Sequence, residues 1–137
     1  MSFMDGVDLN DTFEPATHSD GTEVKLRISD AEVRKGDKGQ YFFVRIEDPE
    51  DFTIKDINHI MMVPSKDDNP KVQNARKRAI NDFCEAFGVD VPSVETVEEA
   101  SQYVQSNWPG NSAWAILRHS EDPEYGEQNR IRKFVKG

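Results

Sequence analysis

Glu23–Ile46 reads EVKLRISDAEVRKGDKGQYFFVRI, two extended stretches joined by a basic turn that holds two glycines. Successive side chains of a strand point to opposite faces, so Val24, Leu26 and Ile28 form one row and Lys25 and Arg27 the other. The second stretch divides in the same way. Phe42, Val44 and Ile46 make a wholly apolar row, which leaves Tyr41, Phe43 and Arg45 together. Burying an unpaired guanidinium is expensive. The aliphatic rows are therefore assigned to the core, and two aromatic rings flanked by Lys25, Arg27 and Arg45 are expected to face outward. Flat rings stack on bases and cations attract phosphates, a composition suited to single-stranded nucleic acid. The plainer alternative is that the rings pack beneath a loop or helix and the charges are solvated.

With 137 residues the chain fits one domain whose core needs no disulfide or metal staple. It has no apolar run of membrane-spanning length and no signal-peptide pattern, so a soluble, cytoplasmic protein is expected. The single Cys84 has no partner for an internal bridge, and three scattered histidines give no zinc spacing, so neither metal nor cofactor is expected. The formal net charge is −9, which opposes polyanion binding only if charge is treated as a single sum. Met1–Glu23 carries Asp5, Asp8, Asp11, Glu14, Asp20 and Glu23 and no Lys or Arg, whereas Val24–Ile46 has six basic residues against three acidic ones. Salt screens charges beyond about 10 Å, so a local basic face can hold phosphates on an acidic protein.

Outward from this segment, residues 1–22 mix acids with Gly, Asn, Thr, Ser and Pro and show no sustained period, which reads as a flexible acidic arm. It is expected to solubilise the protein, dock on a partner, or compete with phosphate for the basic face. A domain over 23–137 follows. Its first strand runs from about Glu23 to Val33, and both Gly36 and Gly39 are expected to supply positive φ in the turn. A second strand ends near Glu47 and a third spans Ile57 to Val63. Asn69 and Pro70 start a helix that Gly88 stops, with Val72, Ala75, Ala79, Ile80, Phe83, Ala86 and Phe87 as its apolar stripe. Arg76 falls within that stripe and is expected to pair with an acid at the rim of the core. Thr96 and Glu99 form a capping box for a second helix. A fourth strand, Ser112 to His119, and a last one, Asn129 to Val135, flank a hairpin loop over Asp122–Gly126.

Three strands, helical material, then two strands is the element order of an OB fold, a five-stranded Greek-key barrel that binds oligonucleotides on the face of strands two and three and on the loops joining strands one to two and four to five. The fold class expected is thus mainly β, with a long helix between strands three and four and a second short helix. The loops in question hold Arg34, Lys35 and Lys38 on one side and Tyr125 on the other. An SH3-like barrel or a small α+β sandwich has a compatible content of elements.

The chain resembles the phage-encoded OB-fold single-stranded DNA-binding proteins in its opening EVKLRISDAEVRKGDKGQYFFVRI, its long central helix, and an ending in which Trp114-Ala115-Ile116-Leu117 leads through Tyr125-Gly126 to EQNRIRKF. The resemblance implies a role in phage DNA replication or recombination in the host cytoplasm, coating displaced strands for a polymerase or recombinase. By position it implies that Tyr41 and Phe43 stack bases while Lys25, Arg27, Lys35 and Arg45 hold backbone. With Arg34, Lys38, Tyr125, Arg130 and Arg132 these complete the expected binding set. Many members end in an acidic tail, whereas this sequence ends on Arg130, Arg132, Lys133 and Lys136.

Catalysis is not expected. Glu23-Val24-Lys25 matches the Glu-x-Lys half of a metal-dependent nuclease site, but its acidic partner would have to come from the arm. No phosphate loop, nucleophile elbow or HExxH pair occurs, Cys84 reads as core, and Asp67-Asp68 and Glu121-Asp122 read as solvated loop acids. The alternative of a different kind is a protein-interaction module, or a phosphate-mimicking inhibitor of a host DNA-binding factor.

Overall fold

The computed structural model describes residues 15–135. In chain order these form β1 (Glu23–Gly36), β2 (Gly39–Glu47), β3 (Ile57–Met62), α1 (Pro70–Phe87), α2 (Val97–Asn107), β4 (Ser112–Asp122) and β5 (Gly126–Val135). The strands build one five-stranded antiparallel sheet in the order β3-β2-β1-β4-β5. This is the mainly β class with two helices that the sequence implies. The edge strands β3 and β5 approach one another, and the rings of His59 and Phe134 lie 6.1 Å apart across the gap. Among the described residues no ladder joins the two edges, so the sheet is not closed.

Strand β1 is shared between two partners. Its first residues pair with β4, from Glu23↔Ile116 to Arg27↔Ser112, and from Arg27 onward it pairs with β2 as far as Gly36↔Gly39. A bulge between Ile28 and Asp30 bends it between these two duties. The extra residue also flips the side-chain alternation: Leu26 and Ile28 point inward before it, Ala31 and Val33 after it. Without that flip Arg34 would point into the core.

The turn into β2 departs from expectation at Gly36. Gly39 has a φ of 117° and sits just past the turn residues Asp37 and Lys38, the place where such a hairpin calls for glycine. Gly36 is not in the positive-φ region. It is small for another reason, since a Cβ there would come within 3.2 Å of Tyr41 Cε1. The aromatic ring lies over the bare glycine backbone.

Leu26, Ile28, Val44, Ile46, Leu117 and Val104 are fully buried with Phe83 and Trp108. Trp108 stacks on Phe42 at 5.2 Å, and its indole N–H donates to Asp90 O at 3.0 Å, which satisfies its one polar atom. Helix α1 has the expected caps, with Asn69 accepting from Val72 N and Gly88 left-handed. Its apolar stripe is shorter than the sequence implies. Ile80, Phe83, Cys84 and Phe87 are buried, but Val72, Ala75 and Ala79 are exposed. Only the C-terminal half reaches the gap between β3 and β5, where Phe83 lies 5.6 Å from His59 and 5.9 Å from Phe134. The outer half is held by polar contacts: Arg76 Nη1 donates to both oxygens of Asp68 at 3.0 Å. Arg76 thus has the acidic partner expected of it, and Asp68 is not simply a solvated loop acid. Helix α2 has Thr96 as N-cap and rests on β1, where Val33 N donates to Ser101 Oγ at 3.2 Å.

The arm assigned to residues 1–22 divides. Residues 1–14 lie outside the described range. Ala16–Thr22 is fastened to the sheet: Ala16 bridges Ile54, Gly21 N donates to Leu117 O and Leu117 N to Thr22 O. At its centre Asn129, itself buried, accepts from His18 N at 2.7 Å and donates to His18 O at 2.9 Å, while His18 Nε2 meets the buried Asp48 carboxylate at 2.9 Å. These residues differ from the arm the sequence implies because the backbone of Thr53, Lys55 and Leu117 and the buried Asn129 side chain satisfy their backbone groups.

Candidate nucleic-acid interface

Phe42, Val44 and Ile46 are buried, while Tyr41 and Phe43 are half-buried on the opposite row and Arg45 is exposed there. Cross-strand register extends this row over three strands. Met62, Tyr41 and Arg34 lie side by side, then Ile60, Phe43 and Glu32, then Asn58, Arg45 and Asp30. The Arg34 guanidinium lies 3.9 Å from the centre of the Phe43 ring and is hydrogen-bonded to the Glu32 carboxylate. The two rings of the sequence reading therefore share one outward face with two arginines, and one ring already carries a cation on its surface.

Charge on this face is mixed. Arg27 gives two hydrogen bonds to Glu47 Oε1, at 3.0 and 2.7 Å from Nε and Nη2. Asp56 lies nearby, its carboxyl raised above the usual range by burial first and by Glu47 next, with Arg45 pulling it back down. Lys25, Lys35, Lys38, Arg45 and Arg130 form no ion pair among the described residues.

Two clefts border the sheet, and only the second adjoins the face. The first, of about 490 Å³, brings Lys35 and Lys38 of the β1–β2 turn against Gln40, Ser65, Asp67 and Arg76, on the row of Lys35 and Gln40 that alternates with the outward Arg34 and Tyr41. The other, of about 270 Å³, is lined by Lys55, Asn58, Tyr125 and Arg130. Asn58 belongs to both the second cleft and the outward row, so Tyr125 and Arg130 join the Tyr41–Phe43 face through it. Tyr125 is 65% exposed. Its loop is tied by hydrogen bonds: Asp122 Oδ1 accepts from Glu124 N and Tyr125 N, and Lys55 Nζ bridges the carbonyls of Tyr125 and Glu127. These two backbone bonds hold the Asp122 carboxyl below the usual range, so this acid is a turn cap and not a solvated bystander.

Arg132 is not brought to the face. It lines a larger cleft of about 810 Å³ between β5 and α1, beside Asp82, Glu85 and His59. A bulge between Ile116 and Leu117 of β4 shifts the β5 register and separates Arg132 from the alternation that places Arg130 outward. Conversely, sequence reasoning missed Asn58, Ile60 and Met62, because both rows of β3 contain apolar residues. It also missed Trp114, which is 48% exposed although Ala113 and Ala115 beside it are buried.

Features bearing on other chemistries are few. Burial, and then Asp90, pushes the Cys84 thiol up to about 11, so it is protonated at neutral pH. Among the described residues no cluster of three or more His, Cys, Asp or Glu is arranged to hold a metal, and no helix is long and apolar enough to cross a membrane. The chain matches no known family model and no curated protein.

Proposed function

We propose that this protein binds single-stranded DNA with little sequence preference, as an OB-type barrel of the kind phage replication and recombination modules use, and that it acts in the cytoplasm by binding and not by catalysis. The observation that carries the reading is the sorting of β2: Tyr41, Phe43 and Arg45 face outward beside Arg34, and Phe42, Val44 and Ile46 fill the core. Every base has a π-face, so stacking on two rings is sequence-tolerant and contributes roughly 1–3 kcal/mol per base. The Arg34–Phe43 contact does not oppose this. An exposed cation–π contact is worth about 0.5–1 kcal/mol, so an incoming base can displace the guanidinium or stack on its outer side. Lys25, Arg45 and Arg130 would meet phosphates on this face and Lys35 and Lys38 from the β1–β2 turn at its end, with Tyr125 reaching a base from the β4–β5 loop.

A protein-interaction module is the second reading, favoured by the net charge of −9 and by Ile60, which is 55% exposed in the middle of the face. Fluorescence anisotropy with a labelled oligothymidylate, a duplex competitor and a salt series separates the two. Neutralising about four phosphates on a single strand gives a slope of log K against log salt near −3. Single-strand preference with such a slope supports the DNA reading; equal affinity for duplex and single strand contradicts stacking, and no binding at low salt favours a protein partner.

A further inference from the structure

On β4 the outward row is Ser112, Trp114 and Ile116, opposite the buried Ala113, Ala115 and Leu117. Trp114 pairs with Lys25 on β1 and with Val135 on β5. It is 48% exposed and makes no ring contact with other aromatic residues among the described ones. A single exposed apolar side chain needs no explanation. This one is placed differently, because it stands at the end of a row on which Arg45, Arg27 and Lys25 follow the β2 rings.

The line can be followed residue by residue. Phe43 lies opposite Glu32 of β1, and Arg45, next on β2, lies opposite Asp30 at the bulge. Arg27 follows on β1, still on the outward row, and then Lys25 with Trp114 directly across from it. About 20 Å of β1 separates the Phe43 station from the Trp114 station, and Arg45, Arg27 and Lys25 punctuate it. Acids interleave with these cations, Glu32 and Asp30 on β1 and Glu47 against Arg27, yet rings spaced along a line of exposed cations are what a single strand reads as successive stacking platforms. Beyond Trp114, Ile116 has Lys133 across from it on β5 and Glu23 on β1.

We infer that Trp114 is a second base-stacking station, reached by a single strand that leaves Tyr41 and Phe43 and follows Arg45, Arg27 and Lys25 around β1. This deepens the single-stranded DNA reading and rests on it. The bound path then covers the outward surface of β1 and β4 as well as β2 and β3, so Glu47 gives up Arg27 to a phosphate. An exposed ion pair of this sort is worth no more than about 1 kcal/mol, which a charge-assisted phosphate contact offsets.

The protein carries its own reporter. It has two tryptophans, and Trp108 is fully buried against Phe42 and Phe83. Titration of the full chain with an oligothymidylate of about 16 nucleotides, long enough for an extended site, is followed by anisotropy and by tryptophan emission together. Emission is expected to fall in parallel with occupancy. Trp114→Phe keeps a ring, so it retains affinity within about three-fold and loses the emission response, whereas Trp114→Ala binds about five-fold or more weakly. Urea denaturation of each variant verifies that it is folded. A bound oligonucleotide with unmoved emission, an emission change that survives in Trp114→Phe, or a folded Trp114→Ala that binds as the wild type overturns this station and leaves the β2 site standing. No anisotropy change at all overturns the single-strand reading and the station with it.

Discussion

Replacing two adjacent phenylalanines tests the sorting of β2 more sharply than any single variant, because the account assigns Phe42 to stability and Phe43 to binding. Phe42 is 4% exposed and stacked on Trp108 at 5.2 Å, so Phe42→Ala opens a cavity in the core and costs about 3–5 kcal/mol. Against a total stability of about 5–15 kcal/mol for a domain, such a variant still folds at low temperature. Phe43 is half-buried and its main specific contact is the Arg34 guanidinium 3.9 Å away. Losing that contact costs about 0.5–1 kcal/mol, whereas losing a stacking platform costs about 1–3 kcal/mol of binding, or roughly 5- to 150-fold in affinity. Urea denaturation and anisotropy on the same preparations read both axes. The expected pattern is crossed: Phe42→Ala loses stability and, in its folded fraction, binds as before, while Phe43→Ala stays folded and binds weakly. A folded Phe43→Ala with wild-type affinity for oligothymidylate would refute the reasoning.

His59 faces Phe83 and Phe134, and burial lowers its pKa to about 4 from an unfolded value of 6.5. Below pH 6.5 the unfolded chain takes up a proton that the folded one refuses, so stability falls as pH drops towards 4, by up to about 3 kcal/mol. His59→Phe should flatten that part of the pH profile in urea denaturation; identical profiles would exclude the histidine as its source. Asn129→Leu leaves His18 N and His18 O without their partner and should lower stability by about 1–3 kcal/mol, with faster amide hydrogen exchange over Ala16–Thr22; unchanged exchange there would mean that other contacts hold the segment. Removing Met1–Glu14 deletes Asp5, Asp8, Asp11 and Glu14 and should tighten binding at low salt if these acids compete with phosphate. Equal affinity with and without them removes that role.

The order of elements and the two helices were legible because caps and breakers mark them: Asn69-Pro70, Gly88 and the Thr96–Glu99 box each satisfy a particular backbone need. The face of β2 was legible because an arginine fixes the parity of its row. Strand β1 was legible only to Ile28. Beyond it the bulge at Ser29–Asp30 shifts the alternation, and Arg34 reaches Phe43 by virtue of an inserted residue that local pattern does not advertise. For β3 and β4 both rows contain apolar side chains, so alternation alone leaves Ile60 and Trp114 unassigned. The partners of Arg27 and Arg34 were hidden for a different reason. Glu47 and Glu32 come within reach through strand register and backbone proximity, and an ion pair leaves no periodic signature.

Photocrosslinking measures the central claim most directly, since it marks whichever side chain touches a base. Ultraviolet irradiation of the oligothymidylate complex, followed by tryptic digestion and mass spectrometry, should place crosslinked thymine on the peptide from Gly39 to Arg45, at Tyr41 or Phe43 and not at Phe42. Thymine found only on peptides away from β2, with the oligonucleotide shown to be bound, would contradict the account.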